Sequence, residues 1–349
     1  MVCGFLTAAG YSTGMLWSPD ELLMRLRLAL EEPLRLFASD ASSKLWWPFV
    51  VVSLVAVWLL AGQTRTTAAS PGKVLTTLFE PRQWLSRSAR NDYLILFINP
   101  LLQVTILSWL VVNFGAVASW IVTSLTWFGV HGQSTGLVAA CLGLVLTAAL
   151  FVVDDLARWL THYLQHRIPV LWEFHKVHHS AEVLNFLTVQ RHHPLDPLLT
   201  TAVIGLSTAA VNGLFIGLFG DHLTIATVAG ANVFRAAANA LGGVLRHSPF
   251  WLSFGSPVER WLVSPAMHHM HHSSDPRHFD NNFGTALSVW DRLAGTLRLA
   301  DGAPVTDFGI GAETRQFQTL PAIYLGPLRR VAGWLPSWRK NRAACAPDR

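Results

Sequence analysis

Apolar residues in this chain are gathered into long blocks from which nearly every charged residue is excluded. Residues 45–62 form the first block long enough to be a membrane span. From Asn91 to Ala157 there is no Lys or Arg, and two spans fit there, about 93–114 and 136–153, joined by a short apolar segment at 117–130. A span needs about 20 apolar residues, so 117–130 reads as re-entrant or interfacial. Two further spans, about 198–220 and 223–245, are predicted as a tight hairpin around Gly220-Asp221. Ahead of them, residues 18–38 mix leucines with charges behind Ser18 and Glu21, a capping-box spacing that predicts an amphipathic surface helix interrupted near Pro33.

Composition sharpens this picture. Charged residues make up 13% of the chain and hydrophobic ones 51%, where an ordinary soluble domain carries roughly 25% charged residues. Trp46, Trp47, Trp58, Trp120, Trp127 and Trp159 stand near the ends of apolar blocks, as in an interfacial aromatic belt. Loops 63–91 and 154–197 and the C-terminal region hold nearly all the Lys and Arg, while connections 115–135 and 220–222 hold none. The positive-inside rule therefore puts the former three in the cytoplasm and, with 45–62 as a span, the N-terminus outside. The fold expected is an all-α integral membrane protein with about four to five transmembrane helices and a cytoplasmic, histidine-rich helical cap.

The net charge of +5 and the basic residues of the tail, Arg329, Arg330, Arg339, Lys340 and Arg342, suit an anionic membrane surface. No basic helix or aromatic-interleaved patch points to nucleic acid. Cys3, Cys141 and Cys345 are too scattered for a disulfide framework, a zinc knuckle or an iron–sulfur cluster. The chain does not start with a basic stretch, an apolar core and a cleavage site, so no removable signal peptide is read.

Histidine carries the chemistry, with 15 copies in the chain. His162 and His166 are four positions apart, which on a helix puts both rings on one face within reach of one metal ion. Asp155 lies two turns earlier on the same face. His175, His178 and His179 repeat the pattern at i, i+3 and i+4, and so do His268, His271 and His272. In that frame His269 is spare; a frame pairing His269 with His272 is the alternative. Eight imidazoles in three windows are too many for one ion and suit two with open positions; an all-imidazole set accepts iron, zinc or copper. The hairpin at 198–245 would return the last cluster to the side of the first two.

Two other readings are weighed against this one. A zinc protease requires HExxH, which is absent. A histidine-rich metal transporter or metal-binding protein is the alternative from another class, but a transporter would line its spans with His and Asp. Here the predicted spans are almost free of ionisable residues apart from Arg235, and the clusters lie outside them.

In this order the motifs resemble the fatty acid hydroxylase/sterol desaturase superfamily, specifically its bacterial sterol-desaturase-like members. Asp155-Leu-Ala-Arg-Trp-Leu-Thr-His162-Tyr-Leu-Gln-His166 is similar to the family's first box with its preceding acid, LWEFHKVHHS (171–180) to the second, and RHHPLD (191–196) to the His-Pro motif, with His193 at the matching position. The run 264–297 resembles the terminal box nearly throughout, including His278, Asp280, Asn282, Trp290, Asp291 and Gly295; residues 81–102 resemble the approach to the first paired spans. In LRHSPFWLSFG (245–255), close relatives often have a second histidine where Pro249 stands, leaving His247 alone.

The resemblance covers about residues 80–300 and implies a membrane oxygenase that hydroxylates or desaturates a lipid, a sterol or an acyl chain. It implies two iron ions as cofactor, with zinc an accepted substitute. His193 and His247 join the eight motif histidines as implied ligands. Asp155, His278 and Asp291 are implied to orient them, through the carboxylates or carbonyls that usually hold a ligand's second ring nitrogen. The expected organisation is an N-terminal amphipathic and first membrane segment (1–80), a catalytic membrane domain (81–300) and a basic cytoplasmic tail (301–349). A bacterial inner-membrane location with a cytoplasmic catalytic face follows. An external electron donor is expected as partner, a ferredoxin, rubredoxin or cytochrome with its reductase, because the chain has neither four clustered cysteines nor GxGxxG.

Overall fold

The structure, a computed structural model, describes residues 18–61, 70–105, 114–130 and 132–344. Cys3, Cys345, His131, the start of the basic linker (63–69) and the end of the span predicted at 93–114 lie outside the described residues. Among the described residues the fold is mostly helical. In chain order the α-helices are α1 (Pro19–Ala38), α2 (Trp47–Leu59), α3 (Pro71–Leu78), α4 (Pro81–Leu85), α5 (Arg87–Thr105), α6 (Phe114–Trp127) and α7 (Gly136–Arg167). They continue with α8 (Pro169–His179), α9 (Asp196–Phe219), α10 (Val233–Ala238), α11 (Ser256–Glu259), α12 (Pro265–His271), α13 (Val289–Ala294) and α14 (Leu320–Ala344). One two-stranded antiparallel ribbon, β1 (Thr227–Val228) and β2 (Ala231–Asn232), interrupts them.

Helix α1 starts as expected: Ser18 Oγ accepts from the Glu21 amide and the Glu21 carboxylate accepts from the Ser18 amide. The predicted interruption at Pro33 is not there. The helix runs through it to Ala38, because a proline removes a single i→i−4 hydrogen bond and can bend a helix without ending it.

Among the described residues two helices, α7 and α9, are long and apolar enough to cross a membrane. Helices α2 and α6 are apolar but only 13 and 14 residues long, about 20 Å at 1.5 Å per residue. The span predicted at 223–245 is not a helix. Its chain turns through the β-ribbon, with Ala229 and Gly230 at positive φ, then through α10 and a tight π-turn containing Gly242 at φ 135°. The apolar content was read correctly, but periodicity within an apolar run cannot distinguish a helix from a folded-back segment. This stretch returns alongside α7: the Ala226 amide donates to Thr147 Oγ1, Asn232 Nδ2 donates to the Thr147 carbonyl, and Arg235 reaches Asp154 and Asp155. It therefore makes the return that the predicted hairpin was to make.

Helices α6 and α9 approach through glycine: a Cβ at Gly213 would stand 2.8 Å from the Ala118 carbonyl oxygen, so no larger residue fits without parting them. Near the histidine-rich end, α2 packs with Phe186, Val244, Leu245 and Phe250 in an apolar cluster, and Phe317 and Ile323 close a second one over Ile95 and Val177.

Candidate metal centre

Helix α7 delivers His162 and His166 near its C-terminus. Ile168 precedes Pro169 and is held in extended geometry (φ −98°, ψ 115°), as a residue before proline should be. That break ends α7 and folds α8 back, so His175 and His179 face His162 and His166. Helix α12 is capped by Ser264, whose hydroxyl accepts from the Met267 amide, with Pro265 in the first turn.

The histidines gather into two groups. His162, His166, His175, His179 and His271 offer ring nitrogens all within 4.8 Å of one another, and His178, His247, His268 and His272 form a second set to the same tolerance. Each HxxHH motif is therefore divided, because i and i+3 point to neighbouring parts of a helix surface. His178 parts from His175 and His179, and His271 parts from His268 and His272. The sequence reading had each triplet converging on one point; the structure makes α8 and α12 each straddle two. The groups abut, with the His179 and His272 rings stacked 4.5 Å apart.

The inner nitrogens have the chemistry of a cation site. The Nε2 atoms of His162, His175, His271 and His272 are buried with no hydrogen-bond partner. His247 Nε2 lies 3.1 Å from both His178 Nε2 and His268 Nε2, and one N–H cannot serve two such neighbours. His166 and His179 meet in the same way at 3.1 Å. A metal ion between the lone pairs would resolve these contacts. Burial pushes the His178, His179, His247, His268 and His272 rings well below the ordinary imidazole range and His271 down to about 3. The rings are thus neutral, the form that ligates.

The outer nitrogens are held by the frame. His162 Nδ1 donates to the Phe283 carbonyl (2.8 Å), His271 Nδ1 to the Asn281 carbonyl (2.8 Å) and His178 Nδ1 to the Arg191 carbonyl (3.2 Å). Such bonds fix the tautomer so that Nε2 is the ligating atom. The turn aiming those first two carbonyls has Asp280 and Asn282 at φ 57° and 59°, a left-handed conformation that Asp and Asn tolerate best among residues with a Cβ.

The carboxylates divide the work differently from the sequence reading. Asp155 touches no histidine: it accepts from Thr285 Oγ1, the Ala286 and Leu287 amides and Trp290 Nε1, and so pins the 285–290 loop. Asp291 likewise accepts from Trp159 Nε1 and the Phe283 and Gly284 amides. It acts on His162 only through the Phe283 backbone. Asp280 stands 3.5 Å from His166 Nδ1.

Asp196 was missed. Its carboxylate meets His175 Nδ1 at 3.1 Å and His192 Nδ1 at 3.3 Å and is also bonded by Gln165. The signal was in the RHHPLD motif, where attention fell on histidine alone. His192 stacks on His178 at 4.7 Å, whereas His193 stands outside both groups, its Nδ1 accepting from the Leu195 amide and its Nε2 donating to the Tyr324 carbonyl. His278 is half-buried and also outside them. His269 is buried beside Trp251 and Phe308. Arg191, fully buried, ties Asp92, Ser180 and the Val177 carbonyl together behind α8.

The comparisons with known proteins fall on this part of the chain. The fatty acid hydroxylase family matches residues 147–296, the stretch that supplies all nine grouped histidines. This segment belongs to the fatty acid hydroxylase/sterol desaturase superfamily. Among curated relatives, ornithine lipid hydroxylase of Rhizobium tropici is 28% identical over 46% of this chain and 44% of its own length. Human alkylglycerol monooxygenase is 27% identical over 42% of this chain and 29% of its own. Mouse cholesterol 25-hydroxylase is 30% identical over 45% and 47%. The chain thus spans less than half the length of each of these relatives. No solved structure gives a significant match.

Proposed function

We propose that this chain is a membrane-embedded oxygenase that holds two iron ions and hydroxylates a lipid. The observation that carries the reading is the division of nine histidines into two abutting groups with inward, unpartnered Nε2 atoms. Bound iron would supply the reduction of dioxygen and the attack on an unactivated C–H bond. The chain's own residues orient the rings, keep them neutral and exclude bulk water. A cavity of about 580 Å³ runs from this histidine floor between α5, α7 and α9, within the range of small-molecule sites. The relatives are named as hydroxylases and a monooxygenase, which supports oxygen insertion over desaturation. Protein purified in mild detergent is expected to carry about two metal ions per chain, and cells expressing it to accumulate a lipid heavier by one oxygen. Well-folded protein with no metal, or a lipid profile unchanged by the chain, would sink the reading. Zinc in the sample counts as occupancy, since imidazole sites accept it readily.

Membrane placement follows from the length of α7. Its 32 residues measure about 48 Å against about 30 Å of hydrocarbon. The apolar start can span while the last turns, with His162 and His166, stand clear. We take residues 1–80 as the membrane approach, 81–300 as the catalytic domain, and 301–349 as a cytoplasmic region whose first part docks on the cap through Arg330 and Glu173. The basic residues of the loops and tail support a cytoplasmic facing for this side, and the membrane proposed is a bacterial inner membrane. A cysteine introduced at exposed Arg315 should resist an impermeant thiol reagent on whole cells and react after lysis; labelling on whole cells would overturn the orientation.

A further inference from the structure

Two short segments of the cap present apolar side chains outward. Val258, Trp261 and Leu262 are exposed at and just after α11, and Leu293 on α13, with 58% of Trp261 and 76% of Leu293 accessible. The Arg292 guanidinium lies 5.4 Å from the centre of the Trp261 ring and joins the two segments into one patch. Charges within the segments are sorted by sign. Glu259 and Asp291 are buried, Glu259 accepting from the Ser253 and Ser264 hydroxyls and Asp291 from Trp159 Nε1. Arg260 and Arg292 are exposed. The surface offered is therefore apolar with a basic rim.

Hydrogen bonds to α7 fix the height of this patch. From Gly136 to Val153 the helix carries no charged residue, and Asp155 stands about 3 Å beyond that apolar length. The Leu287 amide donates to Asp155, Leu262 bridges Leu287, and the Ser288 amide donates to the Trp261 carbonyl at 3.0 Å. Trp261 and Leu262 thus hang at the level of Asp155. Other parts of the cap meet α7 further on: Phe283 meets His162 and Asp280 meets Arg167. Arg167 is about 18 Å along the axis from Asp155. A hydrocarbon core of about 30 Å in a bilayer of about 40–45 Å leaves a head-group layer of about 5–8 Å on each side. Where α7 spans, the patch stands in that layer, and the polar turn with exposed Arg277 and Asp280 stands in water.

We propose that Val258, Trp261, Leu262 and Leu293 are seated in the phospholipid head-group layer beside α7, with Arg260 and Arg292 on lipid phosphates. A tryptophan ring with flanking arginines suits that layer, where one end of a side chain is apolar and the other wet. The inference rests on the membrane placement of α7 and is independent of the metal.

The test uses the full chain in phospholipid nanodiscs, with Cys3, Cys141 and Cys345 replaced by serine and one fluorescent thiol label at Trp261→Cys or Leu293→Cys. Arg277→Cys on the polar turn and Leu144→Cys, exposed within the apolar length of α7, are the reference positions. At 261 and 293, lipid carrying a nitroxide near its head group should quench strongly, and aqueous acrylamide should quench about fivefold or more weakly than at 277. Arg260→Glu with Arg292→Glu should cut the lipid quenching at 293 about twofold. Acrylamide access equal to that at 277 would overturn the proposal by placing the patch in water. Protection from both quenchers would overturn it in favour of a protein cover, a second copy or residues 1–17. Unchanged lipid quenching in the double arginine variant would overturn the phosphate contacts. Either label position decides if the other variant misfolds. Leu144→Cys separates the two readings: quenching there by nitroxide near the acyl terminus with none at 261 and 293 sinks the patch alone, whereas acrylamide access at 144 sinks the membrane placement itself.

Discussion

Replacing His271 by alanine is expected to lower bound metal from about two ions per chain to about one, and to cut product formation by about 10³-fold, equivalent to about 4 kcal/mol at the barrier. The reasoning lies in the division of the motif. His271 Nε2 is buried without a partner on the side of His162, His166, His175 and His179, while its neighbours His268 and His272 belong to the other group. Removing its ring therefore leaves the second group of four intact. His268→Ala should give the mirror result, emptying the group of His178, His247 and His272. Either variant alone should lose nearly all turnover, because one ion cannot replace a pair. Metal analysis by mass spectrometry beside a product assay measures both quantities. Complete loss of metal from each single variant would show one merged site rather than two. Full turnover in either would remove the metal reading altogether.

The reasons why part of this site was legible are physical. Eight of the grouped histidines sit at helical ligand spacing, a pattern that needs no tertiary knowledge, and His247 was reached through resemblance. Spacing could not tell which ring of an i, i+3, i+4 triplet faces which ion. That depends on a rotation of α8 and α12 set by Pro169 and Ser264 and by the carbonyls of Phe283, Asn281 and Arg191. Backbone acceptors leave no mark in a sequence, so the expectation that Asp155 and Asp291 hold rings gave way to loops and main chain. The carboxylate that does hold a ring, Asp196, opens α9; the sequence places it in the polar 154–197 loop at the end of RHHPLD, where nothing local shows which ring it will meet. The membrane pattern was legible in α7 and α9, where apolar residues extend over whole helices. It misled at 223–245, where the same composition turns back through Gly230 and Gly242.

Turnover by the purified chain should be absent with lipid, oxygen and NADH alone, and should appear when a small acidic electron carrier and its reductase are added. The requirement follows from the balance of the proposed reaction: a C–H bond, O2, two electrons and two protons become an alcohol and water, so each turnover consumes two electrons from outside the lipid. With three cysteines the chain cannot supply the four thiolates of an iron–sulfur cluster, and Gly309-Ile-Gly311 lacks the third glycine of a dinucleotide fingerprint. Those two glycines instead shape the turn leading into residues 311–317, both at positive φ. Basic residues are in place for an acidic carrier. Arg87 donates to Gln318, which brings the start of α5 beside the segment carrying Arg315, and Arg87, Arg90 and Arg315 are all exposed. Attraction between exposed charges is screened over about 10 Å at 0.1 M salt, and it governs association rate more than final affinity. Raising salt should therefore slow carrier-driven turnover mainly through the apparent affinity for the carrier, with the rate at saturating carrier little changed. Charge reversal at Arg87 and Arg315 should reproduce the high-salt behaviour at low salt. Sustained NADH-driven turnover without any carrier would refute the requirement, and salt-independent carrier kinetics would remove this face as the docking surface.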